Sequence, residues 1–333
     1  MDVQRNKITK YLFAAIYIIF MILILAYNKG NYQNIELRQS QVSFETKRPL
    51  SRVKNFTETD SRETTTICKN RLRLNLTDLT VRYPELEGQI NTEDGRCIFK
   101  KPYSHLNSLL DFDATLEPSA IFSPSKCVDE DIIFGVKSRP GSRSTRNAIR
   151  ESWLGRDLWK SLNYEIKVVF IIAKENIEIH KIEEEKKEHG DILFLDFSES
   201  FHHLVYKDVG YLHFIKEKCP QARLVFKGDD DILLVPQNLQ HELDIIKNKE
   251  NKIEATGCYK SRADVIRNPR SRYFLPEEIF QDDFFAPYYP GASYVTTGKF
   301  ALKMEDALLR TKIIPMDDVF IGELIKEANL TYR

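Results

Sequence analysis

The chain has few of the residues that build metal clips or disulfide frameworks. Its 333 residues include five cysteines and seven histidines, scattered, with no CxxC and no HExxH. That pattern excludes the usual zinc-binding spacings. A surplus of one charge is missing too: 49 basic and 49 acidic side chains leave a formal net charge of zero. Such a balance gives no electrostatic footprint for nucleic acid, so none is expected as a partner. Nothing repeats at a fixed period, which excludes solenoids and propellers. Long uncharged apolar runs are absent with one exception.

That exception is residues 11–27, YLFAAIYIIFMILILAY, seventeen positions without a charge. This length is at the short end of what spans a bilayer. Arg5, Lys7 and Lys10 precede it and only Lys29 follows closely, which keeps the amino terminus cytosolic. A cleaved signal peptide would need a small-x-small site, and none follows Ala26. The expectation is an uncleaved type II anchor: residues 1–10 a cytosolic tail, 11–27 the transmembrane helix, the remainder lumenal. Sequons at Asn55, Asn75 and Asn329 agree with a lumenal position. Oxidising conditions there permit up to two disulfides and leave one thiol over. Residues 28–66 are polar and aperiodic, as a stem would be, and 67–126 read as a disulfide-tied neck. Stem and neck together are assigned 28–126, and the compact domain 127–333.

Within that domain apolar runs alternate with amphipathic ones. DIIFGV (131–136), EIKVVFIIAKE (165–175), DILFLDF (191–197) and LVF (224–226) read as strands. RNAIRESWLG (146–155), residues 176–189, 202–218 and 237–250 read as helices between or after them. The alternation implies a largely parallel α/β sheet, on which ligands sit outside the carboxyl ends of the strands. The loop after Val136 and the residues after Phe226 both fall at that end. There Lys227 and Gly228 lead into three aspartates, Asp229, Asp230 and Asp231, before the apolar continuation Ile232–Val235. Carboxylates beside a core are costly unless paired, and a hard divalent cation relieves them. Period-2 geometry aims Asp229 and Asp231 one way and Asp230 the other. Asp317 and Asp318 form a second acidic pair. The same two residues would equally complement a helix amino terminus.

These blocks resemble the β1,3-galactosyltransferase family, glycosyltransferase family 31. RNAIRESW, HGDILFLDF with the Lys207 helix after it, CPQARLVFKGDDD, PYYPGASYV and MDDVFIG occur in the family's order over residues 130–325. Gly228, Asp317, Ala292-Ser293 and RSRYF (270–274) depart from its pattern. The resemblance implies a GT-A-type nucleotide-diphospho-sugar transferase fold, Mn²⁺, and inversion at the sugar carbon. It implies transfer of galactose or an N-acetylhexosamine from a UDP-sugar to a glycan acceptor, on protein or lipid, in β1,3 linkage at a Golgi membrane. Carried onto this chain, Asp231 and Asp229 are the metal ligands, Asp229 and Asp230 serve the donor, and Asp318 is the base. Lys207, Arg146 and Arg150 are further donor-binding candidates. Arginines on an amphipathic helix also commonly brace a fold through carboxylates. No histidine follows His241, where the fold often adds one to the metal site. A noncatalytic lumenal partner protein on the same scaffold is the alternative.

Overall fold

The computed structural model describes residues 76–93, 96–175, 179–247 and 254–330. The expected anchor at 11–27 and stem at 28–66 lie outside the described residues. Among the described residues no helix is long and apolar enough to cross a membrane.

In chain order, α1 (Leu76–Arg82) leads to the hairpin β1 (Ile90–Glu93) and β2 (Arg96–Phe99), then to α2 (Asn107–Leu110) and β3 (Ala120–Phe122). The alternating region follows: β4 (Ile132–Lys137), α3 (Arg143–Glu151), α4 (Arg156–Ser161), β5 (Ile166–Lys174), α5 (Ile179–His189), β6 (Ile192–Ser198), α6 (Leu204–Lys218) and β7 (Leu224–Asp229). It closes with α7 (Pro236–Lys247), β8 (Ala255–Gly257), β9 (Ser293–Thr297), α8 (Gly298–Ala307) and α9 (Asp317–Glu327). Each expected strand is present within a residue or two, except that LVF continues to Asp229. Ile232–Val235 continues the apolar core only at alternate residues: Ile232 and Leu234 pack against it, whereas Leu233 is 80% exposed and Val235 44%.

The main sheet runs β3-β6-β5-β4-β7-β9-β8. The four inner strands β6, β5, β4 and β7 are mutually parallel, while β3, β9 and β8 add antiparallel edges. This mainly parallel α/β sheet agrees with the expected fold class. Strand side chains alternate between two cores, as a sheet covered on both faces requires. Ile133, Val169, Leu193 and Val225 face a core shared with α6, α8 and α9. Ile132, Phe134, Phe170, Ile192 and Phe226 face the other, built with α3, α4, α5 and α7. From β4 the chain steps outward to β5 and β6, then returns to β7 on β4's other side. The carboxyl ends of β4 and β7 therefore form a topological switch point, where ligand crevices open.

Helix α6 is held across that point by one tyrosine. The Tyr211 hydroxyl lies 3.0 Å from the carbonyls of both Ile133 and Phe226. Its ring occupies the space above Gly135, where an added Cβ would come within 2.3 Å of it. Glycine is needed here for close approach, not for an unusual backbone angle. The Cys127–Cys219 disulfide ties the start of this region to the end of α6, closing a separation of 92 residues. Cys97 is also disulfide-bonded, and among the described residues Cys258 is the free cysteine, exposed to solvent.

The compact unit begins earlier than Cys127. Leu79, Leu86, Phe99, Leu106, Leu110 and Phe112 belong to the same core as α6, α8 and α9. Strand β3 pairs directly with β6. The short elements of this region show too little periodicity to reveal the packing in sequence. Phe112 is fully buried and its ring stacks on Tyr206 at 5.3 Å. Phe112→Ala is therefore expected to destabilise the domain by about 3–5 kcal/mol in denaturant unfolding. A loss below about 1 kcal/mol would mean that 76–126 is an appendage to the fold.

Candidate active site

At the switch point lies a cleft of about 430 Å³. Its walls are the end of β4 (Lys137, Ser138, Arg139), the turn after β6 (Glu199, Ser200, Phe201), Leu204 and Lys207 of α6, Asp229–Asp231, and Arg272. A larger cavity, about 510 Å³, is lined by Ser119, Leu193, His213 and Phe214 among others and shares no residue with it. The smaller cleft holds the acidic triplet and is the better candidate site.

Strand parity sorts the charges. Lys137 pairs in register with Asp229, and Gly135 with Lys227. Positions 137, 227 and 229 thus share the face covered by α6 and α9. Lys137, 4% exposed, bonds the Asp317 carboxylate and lies 3.3 Å from Asp229 and 3.6 Å from Asp208. Lys227, 1% exposed, lies 3.7 Å from Asp317 and 3.8 Å from Asp208. The opposite parity takes Asp230 to Ser138, whose hydroxyl donates to it at 2.6 Å and accepts from Arg146 Nη1 at 3.0 Å. Asp318 stands in the first turn of α9 and accepts the backbone N–H of Gly291 at 3.2 Å. Gly291 packs against the aspartates from the other side, its Cβ direction ending 3.4 Å from Asp229 Oδ2. One loop residue thus connects the second acidic pair to the first.

A family model described as Galactosyltransferase matches residues 144–333, more than half of the chain. The chain belongs to this galactosyltransferase family. Among its relatives is a Mus musculus protein named N-acetyllactosaminide beta-1,3-N-acetylglucosaminyltransferase 2, 29% identical over 63% of this chain and 54% of its own length. The Homo sapiens N-acetyllactosaminide beta-1,3-N-acetylglucosaminyltransferase 4 is 29% identical over 64% and 56%. A Xenopus laevis protein, lactosylceramide 1,3-N-acetyl-beta-D-glucosaminyltransferase B, is 32% identical over 59% and 55%. The chain spans about half the length of these curated relatives.

In this member of the family the three expected basic residues have different places. Arg146 is fully buried and does not reach the cleft. Its guanidinium meets Glu185 through two bonds of 2.8 and 2.6 Å and also caps the Pro140 carbonyl. Arg150 bonds Asp191 twice at 2.8 Å and Glu185 once. Both are braces, a correction to their expected role in holding the donor. The helix α3 turns its Arg146 side inward because the carboxylate of Glu185 on α5 is waiting there; Ile149 and Trp153 are buried, while Ala148 and Ser152 are exposed. Lys207 does border the cleft, with its ammonium committed to the Ser138 carbonyl and Glu199, each at 2.8 Å. Lys227, although next to the triplet in sequence, faces Asp208 and Asp317; Lys137 neutralises Asp229. Tyr288, Tyr289 and Tyr294 are buried packing residues.

Lys137, Ser138, Asp208 and Glu199 carry no motif of their own, so only the register of β4 against β7 and the placement of α6 reveal them. Among the described residues no group of three His, Cys, Asp or Glu is arranged to hold a metal. Mg²⁺ and Mn²⁺ need no more than one or two carboxylates, the rest being water and phosphate. Asp229 Oδ1 is buried without a hydrogen bond, though the Lys137 ammonium lies 3.3 Å away, and Asp231 is exposed on the cleft wall. That donor set fits such a cation.

The second pair is split in acidity. Burial raises the Asp317 carboxyl, but Lys137 and Lys227 outweigh it and hold it well below the usual carboxylate range. Burial, then the charge of Asp317, pushes Asp318 up. Opposite displacement of neighbouring acids is how one is kept as a fixed charge and the other as a proton acceptor. The bracing role of Arg146 has a direct check. Arg146→Ala strips a buried carboxylate of its partner and is expected to lower stability by about 3–5 kcal/mol in chemical unfolding. Wild-type stability in that variant would return Arg146 to the list of ligand-binding residues.

Proposed function

We propose that this protein is an inverting β1,3-hexosyltransferase, moving galactose or an N-acetylhexosamine from a UDP-sugar to the 3-hydroxyl of a glycan acceptor. One observation carries the reading: the acid pair on α9 is joined by Lys137 to the Asp229 end of β7, beside a cleft at the switch point. Family membership and the transferase names of the relatives support it. The noncatalytic alternative has no comparable observation in its favour.

The acceptor oxygen attacks the sugar's anomeric carbon as the bond from that carbon to the diphosphate oxygen breaks. The electron pair leaves with the diphosphate, and the acceptor's proton passes to Asp318. Asp318 suits this step because burial and the neighbouring Asp317 charge raise its pKa, which improves it as a base. The Gly291 N–H orients its carboxylate. Asp317, fixed as an anion on Lys137 and Lys227, keeps the proton from being shared between the two acids. A Mn²⁺ ion held by Asp231 and Asp229 would offset charge on the diphosphate. Asp230, anchored by Ser138, and Lys207 shape the donor side of the cleft. The anchor at 11–27, a Golgi membrane and a lumenal active site complete the proposal; the charge asymmetry around that segment and the disulfide support them.

Purified full chain should release UDP from a UDP-sugar and acceptor only when Mn²⁺ is present, and chelation should abolish release. Asp231→Ala should remove activity, and Asp318→Asn should lower kcat by about 10²–10⁴-fold. Full turnover in Asp318→Asn would dispose of the base assignment. Because the base must be unprotonated, kcat/KM should fall as pH drops through the pKa of Asp318. That acid limb should lie above the value of about 3.9 for a free aspartate; a limb at or below it contradicts the assignment.

A further inference from the structure

Four cationic side chains border the cleft: Lys137, Arg139, Lys207 and Arg272. Three are already matched. Lys137 faces Asp317 and Asp229, Arg139 meets Glu175, and Lys207 lies 2.7 Å from Glu199. Arg272 is different: among the described residues, no carboxylate pairs with its guanidinium. Two aromatic rings hold it instead. The guanidinium carbon lies 4.2 Å from the centroid of Phe201 and 5.1 Å from that of Tyr273. The two rings meet edge to face at 5.5 Å. Stacking on ring faces fixes the plane of a guanidinium and leaves its N–H edge free to donate.

A stacked, unpaired arginine in a cleft walled by Asp229, Asp230 and Asp231 constrains what can bind. A bare anion would be repelled by the aspartates, and a bare cation by the arginine. A diphosphate accompanied by a divalent cation satisfies both. The sugar-linked diphosphate carries two negative charges, which the cation balances. When the sugar leaves, the diphosphate gains a third, and one further positive group is needed where that charge develops. We infer that Arg272 is that group: it donates to the donor's diphosphate oxygens and takes up the charge released with the leaving group. This rests on the UDP-sugar reading above. The sequence offered no hint of it, since RSRYF is a place where the chain departs from its family's pattern.

Titration calorimetry of the full chain with UDP and with uridine, each in Mn²⁺ and again in chelator, tests the assignment. Arg272→Gln should weaken UDP binding by about tenfold or more, with and without Mn²⁺, since a charge-assisted bond is lost. Arg272→Lys should lose less, and uridine should bind all three proteins alike. Arg272 is exposed, so the thermal midpoint should not move. Unchanged UDP affinity in Arg272→Gln overturns the assignment, even if KM for an acidic acceptor rises. Equal losses for UDP and uridine overturn it too, because the contact would then be to the nucleoside. A wild type that binds UDP while Arg272→Gln matches it sinks only this inference. A wild type that fails to bind UDP in Mn²⁺ sinks the donor reading with it.

Discussion

A buried ammonium organises this molecule's active end. Lys137 is almost sealed from water, and burial alone would drive its proton off. Asp208, Asp317 and Asp229 reverse that and hold its pKa well above the ordinary lysine value. Each carboxylate comes from a different element: α6, α9 and the end of β7. Removing any one would leave charge in the interior without compensation, which costs far more than a surface pair contributes. Lys227 shares two of the three, so the cluster stands as two ammoniums among three carboxylates. Neither Oδ of Asp208 has a hydrogen bond, so its only compensation is the two lysines.

The same cluster explains how two adjacent residues come to differ. Asp317 and Asp318 share a helical turn and the favourable amino-terminal end of α9, which complements carboxylates in general. What separates them is direction. Asp317 turns toward both lysines; Asp318 turns toward Gly291 and feels Asp317 as a like charge. The helix-terminus and catalytic interpretations of the pair therefore coincide in one geometry.

Much of the scaffold was legible in the chain. Strands buried on both faces are continuously apolar, and the helices between them are amphipathic, so βαβ order follows from periodicity. The site's location followed as well, because ligand crevices open at strand carboxyl ends. Individual partners were less accessible. Arg146 and Arg150 look like ligand-binding residues until Glu185 and Asp191 are brought beside them from 35 to 41 positions away. Residues 76–126 look like a neck because their elements are three to seven residues long, too short to declare an amphipathic face.

By itself the sequence determined the four inner strands and the helices between them, that the inner sheet is parallel, and where its acidic residues fall along the chain. These are local properties, set by side-chain period and by residue type. Tertiary structure alone decided that Lys137 rather than Lys227 faces Asp229, that Asp230 is held through Ser138, and that Arg272 stacks on Phe201 and Tyr273 with no carboxylate partner among the described residues. Those outcomes depend on which strands lie adjacent and in what register. A shift of one residue would send every charged side chain at the strand ends to the opposite face.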